Sequence, residues 1–102
     1  MHYLYILYSR VHDLFYIGHT QNPHRRFHEH NNSDLYSFTA KYRPWEMGVL
    51  FECGPDKSVA TALEKHIKQQ KSKEYIRKII SLRSVETFPM LRAVVLAEVE
   101  VL

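Results

Sequence analysis

Tyr3-Leu4-Tyr5-Ile6-Leu7-Tyr8 … Phe15-Tyr16-Ile17-Gly18-His19-Thr20, followed at once by Asn22-Pro23 and by Arg25-Arg26-Phe27-His28-Glu29-His30, is the stretch on which the fold turns. Two aromatic and β-branched runs flank a polar break at Ser9-Arg10-Val11-His12-Asp13. Both alternate, so they read as strands over residues 2–9 and 14–20, joined as a β-hairpin whose loop is too long for a two-residue turn. Asn22 suits an N-cap and Pro23 a first helical position, which predicts a helix over 23–31 ended by Asn31-Asn32-Ser33. Four residues apart on that helix, Arg26 and His30 share a face. One compact β-β-α unit thereby gathers two phenols, a guanidinium and an imidazole, a set too polar for an ordinary core.

Outward from this unit the pattern continues. Ser33 to Pro44 is polar and aromatic without clear period and reads as a surface loop, the kind of segment that carries binding residues on a rigid scaffold. Met47 to Cys53 is a short apolar run closed by Gly54-Pro55, hence a third strand. Asp56 is the expected N-cap of a helix over 57–70, with Val59, Ala60, Leu63 and Ile67 on its apolar face. Ser72 caps another over 73–82, where Tyr75, Ile76, Ile79 and Ile80 repeat the spacing. Beyond Pro89, Met90 to Leu96 fits strand or helix, and Ala97 to Val101 alternates like an edge strand. The expected fold is therefore α/β (α+β), a small, mainly antiparallel three-stranded sheet flanked by helices in the order β-β-α-β-α-α. Residues 1–82 form the domain and 83–102 an extension that serves as an edge strand or dimer contact.

The chain has 102 residues, enough for one domain with its own core, and its 45% hydrophobic and 25% charged residues are ordinary for a globular protein. A lone Cys53 excludes an internal disulfide and agrees with a reducing, cytoplasmic setting. No apolar run approaches the roughly 20 residues of a membrane span, and no secretory signal is legible. The net charge is +3. It is unevenly placed: Lys65, Lys68, Lys71, Lys73, Arg77 and Lys78 face only Glu64 and Glu74, and Arg25, Arg26, Lys41 and Arg43 form a second basic zone. Taken alone, such a run is more often a solvated face; with aromatics beside it, it suits a polyanion such as nucleic acid. His24 and His28, with His19 before them, have a spacing that can hold zinc, yet a structural zinc site wants four ligands and no cysteine pair exists to complete it.

The chain resembles the GIY-YIG nuclease superfamily, specifically its small stand-alone bacterial single-domain group. Tyr3-Leu4-Tyr5 matches the first half-motif, with Tyr3 where Gly is usual, and Tyr16-Ile17-Gly18 matches the second at the customary spacing. The family's helix arginine falls on Arg26, its histidine one turn later on His30, and its metal-binding glutamate on Glu64. Thr39-Ala40-Lys41-Tyr42-Arg43-Pro44-Trp45 resembles a segment of the small bacterial members, whereas no match exists for the polar residue that some members carry after the glutamate.

The resemblance implies a divalent-metal-dependent endonuclease acting on nucleic acid, with DNA the expected polymer, in repair or recombination. It implies that Glu64 holds Mg²⁺ (or Mn²⁺), which polarises the phosphate and assists the leaving oxygen. Arg26 grips the scissile phosphate, Tyr5 takes the proton from water, and Tyr16 positions water or phosphate. A free tyrosine has a pKa near 10, so Tyr5 needs either nearby positive charge or a relay of its proton to His30; the expectation is Tyr5 as base, assisted by His30. Gly18 marks a close backbone approach to a helix or to substrate. His19, Lys41, Arg43 and Lys68 complete the expected substrate contacts, while Trp45 reads as a core anchor in preference to a stacking ring. Judged by residue type alone, Tyr5 and Tyr16 would be strand packing and Glu64 an i,i+4 partner of Lys68. The rival function is a binding module that keeps the scaffold with weak or no turnover. The expected assembly is a monomer or weak homodimer, with a protein partner for targeting as an option.

Overall fold

A computed structural model describes residues 1–96. The hairpin forms as the alternation predicts: β1 (His2–Ser9) pairs antiparallel with β2 (Leu14–Thr20), placing Tyr5 opposite Gly18 and Leu7 opposite Tyr16. Asp13 turns the loop in the left-handed region, which a short polar side chain tolerates, and its carboxylate ties the loop to Arg77 at 2.8 Å. β3 (Glu46–Gly54) pairs antiparallel with β1 on its other side, so β1 is central.

Among the described residues the sheet has four strands in the order β2-β1-β3-β4, not the expected three. The added strand, β4 (Arg92–Val94), spans only three residues and pairs with Leu50 to Glu52. It lies in the stretch that fitted strand or helix alike, because a strand so short carries no readable period. The expected edge strand over 97–101 lies outside the described residues.

Four helices complete the fold. α1 (Pro23–Asn32) starts as expected, the Asn22 side chain accepting from the Arg25 N–H at 3.1 Å. α2 (Ser37–Lys41) interrupts the segment read as a surface loop, so the element order is β-β-α-α-β-α-α-β. At five residues it is too short to show an apolar stripe; contacts to the flanking segments hold it, Trp45 Nε1–H donating to the Thr39 carbonyl at 2.8 Å. α3 (Ser58–Gln70) is preceded by Lys57 at the cap position, with Asp56 Oδ1 accepting from the Ser58 N–H at 2.9 Å. α4 (Lys73–Leu82) is capped by Ser72.

The central strand divides two cores. Leu4 and Ile6 point to α3 and α4, packing with Leu63, Ile67 and Ile79; Tyr5 and Leu7 point the other way, with Trp45, Met47 and Leu50. Trp45 is the core anchor expected of it. Val85 joins the first core and Leu96 the second. Fully burying a Leu or Ile side chain contributes about 1.5–3 kcal/mol, so two faces of buried aliphatics hold β1 rigidly in place. No helix among the described residues is long and apolar enough to cross a membrane.

Candidate active site

β2 is the outer strand beside β1, and the groups gathered near it come from both faces of the sheet. Tyr5, Tyr16, Ile17, Gly18, His19, Arg26, Glu64 and Lys68 line one open cavity of about 300 Å³. The hairpin thus contributes both phenols, α1 the guanidinium and α3 the carboxylate. A larger cavity of about 410 Å³, between Tyr8, Arg10, Phe15, Arg77 and Arg83, lies on the α3–α4 side and holds no carboxylate or imidazole.

Gly18 is explained by Tyr5. A Cβ on Gly18 would sit 2.5 Å from the Tyr5 hydroxyl oxygen and 2.7 Å from Cζ. The close approach is therefore to neither helix nor substrate but to the tyrosine across the ladder, whose ring occupies the space that a side chain would fill.

Behind the cavity, hydrogen bonds fix where the protons are. Tyr5 Oη lies 2.8 Å from His30 Nε2, and His30 Nδ1 lies 2.9 Å from Thr39 Oγ1. The Thr39 hydroxyl donates its one proton to the Tyr36 carbonyl at 3.1 Å. Thr39 must then accept from His30 Nδ1–H, and since a neutral imidazole has one N–H, Nε2 accepts from the Tyr5 hydroxyl. The Tyr5 proton points inward and its lone pairs are left for the cavity.

Electrostatics keep this chain neutral. Burial, then the Tyr16 phenol, push the Tyr5 hydroxyl above the ordinary phenol range, outweighing the pull of Arg26 in the other direction. Burial, then the Arg26 cation, lower His30 from 6.5 to about 4. Tyr5 is 2% exposed and His30 fully buried. Burial thus disfavours a standing phenolate on Tyr5, and the hydrogen bonds join Tyr5 to His30 in the geometry that a relay requires.

Arg26 is half-buried, its guanidinium 5.3 Å over the Tyr36 ring. Its Nε lies 3.4 Å from Glu29 Oε1 without making a hydrogen bond, and is a buried donor lacking a partner. An unbonded buried donor costs free energy that an anion in the cavity would recover. Glu64 Oε1 accepts from or shares a proton with His19 Nδ1 at 2.9 Å, and its Oε2 accepts from Lys68 Nζ at 3.0 Å. Each oxygen keeps a second lone pair. Among the described residues no cluster of three or more His, Cys, Asp or Glu could hold an ion. What the donor set fits is therefore a hard cation that keeps most of its water and takes one carboxylate oxygen, as Mg²⁺ does.

Lys41 and Arg43 do not line the cavity. Lys41 Nζ sits 5.7 Å over the Tyr42 ring. Arg43 is held inside the scaffold, Nε donating to the His30 carbonyl at 2.8 Å and Nη2 to the Ser33 carbonyl. It clamps the end of α1 that carries His30. His28 Nδ1 faces the Asn32 amide at 3.3 Å, turned to its own helix. Sequence reasoning missed Thr39, which sets the imidazole tautomer, and Phe38, 6.3 Å from Tyr16. Neither is spaced along an element in a way that signals its contact; both reach the site only through the turn into α2.

The description GIY-YIG catalytic domain belongs to the family model that matches residues 1–78. Structure-specific endonuclease subunit SLX1 of Debaryomyces hansenii is 44% identical over 55 residues, covering 49% of this chain and 16% of that protein. The protein of the same name from Chaetomium globosum is 38% identical over 66 residues, covering 60% of this chain and 20% of that protein. The match thus spans a small part of the curated relatives, both of them fungal.

Proposed function

Because the chain belongs to the GIY-YIG family, we propose that it is an endonuclease hydrolysing phosphodiester bonds in nucleic acid, with a divalent metal held by Glu64. The observation that carries the reading is the convergence of Tyr5, Tyr16, Arg26 and Glu64, from the four elements β1, β2, α1 and α3, on one cavity. In the proposed mechanism the Arg26 guanidinium takes the scissile phosphate, using the unbonded Nε. A water on the cavity side of Tyr5 gives its proton to the phenol oxygen as the phenol proton passes to His30 Nε2. Thr39 holds the resulting imidazolium at Nδ1. Arg26 is one of the charges that lower His30, so a phosphate on Arg26 offsets that effect when a proton must be accepted. Tyr16 positions the water or the phosphate, and His19 and Lys68 orient the Glu64 carboxylate. When bound, Mg²⁺ or Mn²⁺ supplies Lewis-acid polarisation of the phosphate and stabilises the leaving oxygen.

DNA is the proposed substrate, in repair or recombination; the two SLX1 relatives, each named a structure-specific endonuclease subunit, support the endonuclease part of that reading. The word subunit in those names supports a protein partner for this chain as well. The small stand-alone bacterial grouping rests on the Thr39 to Trp45 segment alone, and the cytoplasmic location on the lone buried Cys53. A binding module without turnover is the second reading, supported by the engagement of both Glu64 oxygens with His19 and Lys68.

A cleavage panel of branched, flapped, duplex and single-stranded substrates with Mg²⁺ or Mn²⁺ tests the proposal. Arg26→Ala and Glu64→Ala are expected to abolish cutting, by 100-fold or more (about 2.7 kcal/mol of barrier), with the thermal transition little changed. Cutting that survives both changes would refute the site. Salt-dependent binding with no cutting under any metal would establish the binding module.

A further inference from the structure

Aromatic rings form a continuous row leading out of the cavity. Ring centroids are 4.7 Å apart from His30 to Tyr16, 6.3 Å from Tyr16 to Phe38, 5.0 Å from Phe38 to Tyr42, and 5.2 Å from Tyr42 to His12. The inner end is sealed, since His30 is fully buried, while the row opens to solvent at Phe38, 51% exposed, and Leu35, three residues earlier, is 86% exposed. A single exposed apolar side chain means little, but a contiguous set adjoining a polar cavity marks a surface that something covers. The cation over the row is Lys41, above the Tyr42 ring.

We propose that Phe38 and Tyr42 are a stacking platform for unpaired nucleobases of the strand leaving the scissile phosphate, with Lys41 against that strand's backbone. The proposal rests on the nuclease reading and names the substrate class for the same site. The Phe38 and Tyr42 planes differ by 57°, so they cannot lie together under one stacked pair; the exposed Phe38 takes the base, and the half-buried Tyr42 backs it and carries Lys41. In a duplex the base faces are buried against one another, so only an unpaired base can offer a face to Phe38. The occupant is therefore a single-stranded arm, and the favoured substrate carries one next to the cleaved bond. A nucleic acid suits the patch better than an apolar protein surface, because the row is continuous with the cavity holding Arg26 and carries a lysine at its outer part.

The test uses the full chain and a flapped oligonucleotide with 2-aminopurine in its single-stranded arm, in EDTA so that nothing is cut. Stacking quenches 2-aminopurine, and Phe38→Ala is expected to weaken binding of the arm by about 5- to 150-fold, the equivalent of one lost base–aromatic stack. Affinity for plain duplex stays within about twofold. Phe38→Trp, which keeps a stackable face, restores the quench and serves as the control for a folding defect. With Mg²⁺ restored, Phe38→Ala lowers the ratio of flap to duplex cutting. Equal loss on both substrates, or no loss on either, overturns the platform. So does a Phe38→Ala change in light-scattering mass with arm affinity constant, which would mark the row as a protein contact. Cutting with an unchanged flap-to-duplex ratio sinks the platform and leaves the nuclease standing; quenching without any cutting does the reverse.

Discussion

Replacing Gly18 by Ala separates the proton chain from the rest of the fold at a single atom. The new methyl would sit 2.5 Å from the Tyr5 oxygen and 2.7 Å from Cζ, where ordinary contacts begin near 3.4 Å. The ring must therefore withdraw by most of an ångström. The Tyr5 ring is 2% exposed and packed in the core that contains Leu7, Trp45 and Leu50, with only its hydroxyl edge bordering the cavity, so it can yield little. Overpacking of this kind costs about 1–3 kcal/mol. A comparable shift also stretches the 2.8 Å bond to His30 toward its limit, leaving a buried acceptor unpaired at a further cost of about 1–3 kcal/mol. We expect Gly18→Ala to lose about 2–5 kcal/mol in urea unfolding followed through the single tryptophan, Trp45, and to lose most of its cleavage rate under conditions where it remains folded. In a Tyr5→Phe background the closest clash is gone and His30 is already unpaired, so the same substitution should cost less there. A Gly18→Ala protein within about 0.5 kcal/mol of the parent, or an equal cost in both backgrounds, would refute this account of the glycine.

The remaining predictions concern the imidazole. His30 is lowered in the folded protein, so the fold binds fewer protons than the unfolded chain between about pH 6.5 and 4; the stability this gives is present above 6.5 and lost as pH falls through that window. From pH 7.5 to 4.5 the expected loss is about 2–3 kcal/mol, and His30→Gln should remove that part of the pH dependence, measured as the difference between the two unfolding free energies at each pH. Thr39→Val keeps the shape but removes the acceptor of His30 Nδ1–H, freeing the ring to move its proton to Nε2 and point it at Tyr5. Cleavage should fall about 10- to 100-fold, with Thr39→Ser restoring it, and an unimpaired Thr39→Val protein would exclude the relay.

What could be read in advance depended on period and on local chemistry. Both hairpin strands, the caps at Asn22 and Ser72, and the helix over 73–82 were legible because each signal lies within a few residues of the element it governs. Tyr5, Tyr16, Arg26 and Glu64 could be named through the resemblance to the GIY-YIG family, and all four line one cavity. β4 and α2 were not legible, since three and five residues are too few to display a repeat and their partners are distant in sequence. Lys41 and Arg43 show the limit of reasoning from charge. Adjacent cations in one basic zone look equivalent, yet one lies over the half-buried Tyr42 ring and the other is consumed by backbone carbonyls at the end of α1. Which guanidinium is free depends on where unsatisfied carbonyls fall, and that is decided only by the turn between α1 and β3.

Tyr5, His30 and Thr39 also show why stability and chemistry are bound together in this fold. A buried phenol, imidazole and hydroxyl each incur a desolvation cost, which is offset only because every donor meets an acceptor in one unbroken sequence ending at the Tyr36 carbonyl. The same sequence fixes the direction of the Tyr5 proton, and direction is what a relay requires. Arg26 breaks the pattern, with a buried Nε that meets no acceptor among the described residues. A site in which the neutral groups are satisfied and the cation is not has its residual free energy directed at an anion. In the proposed mechanism a phosphate at Arg26 would supply the missing acceptor and offset the charge that lowers His30, so that substrate binding and proton acceptance would be coupled through one guanidinium.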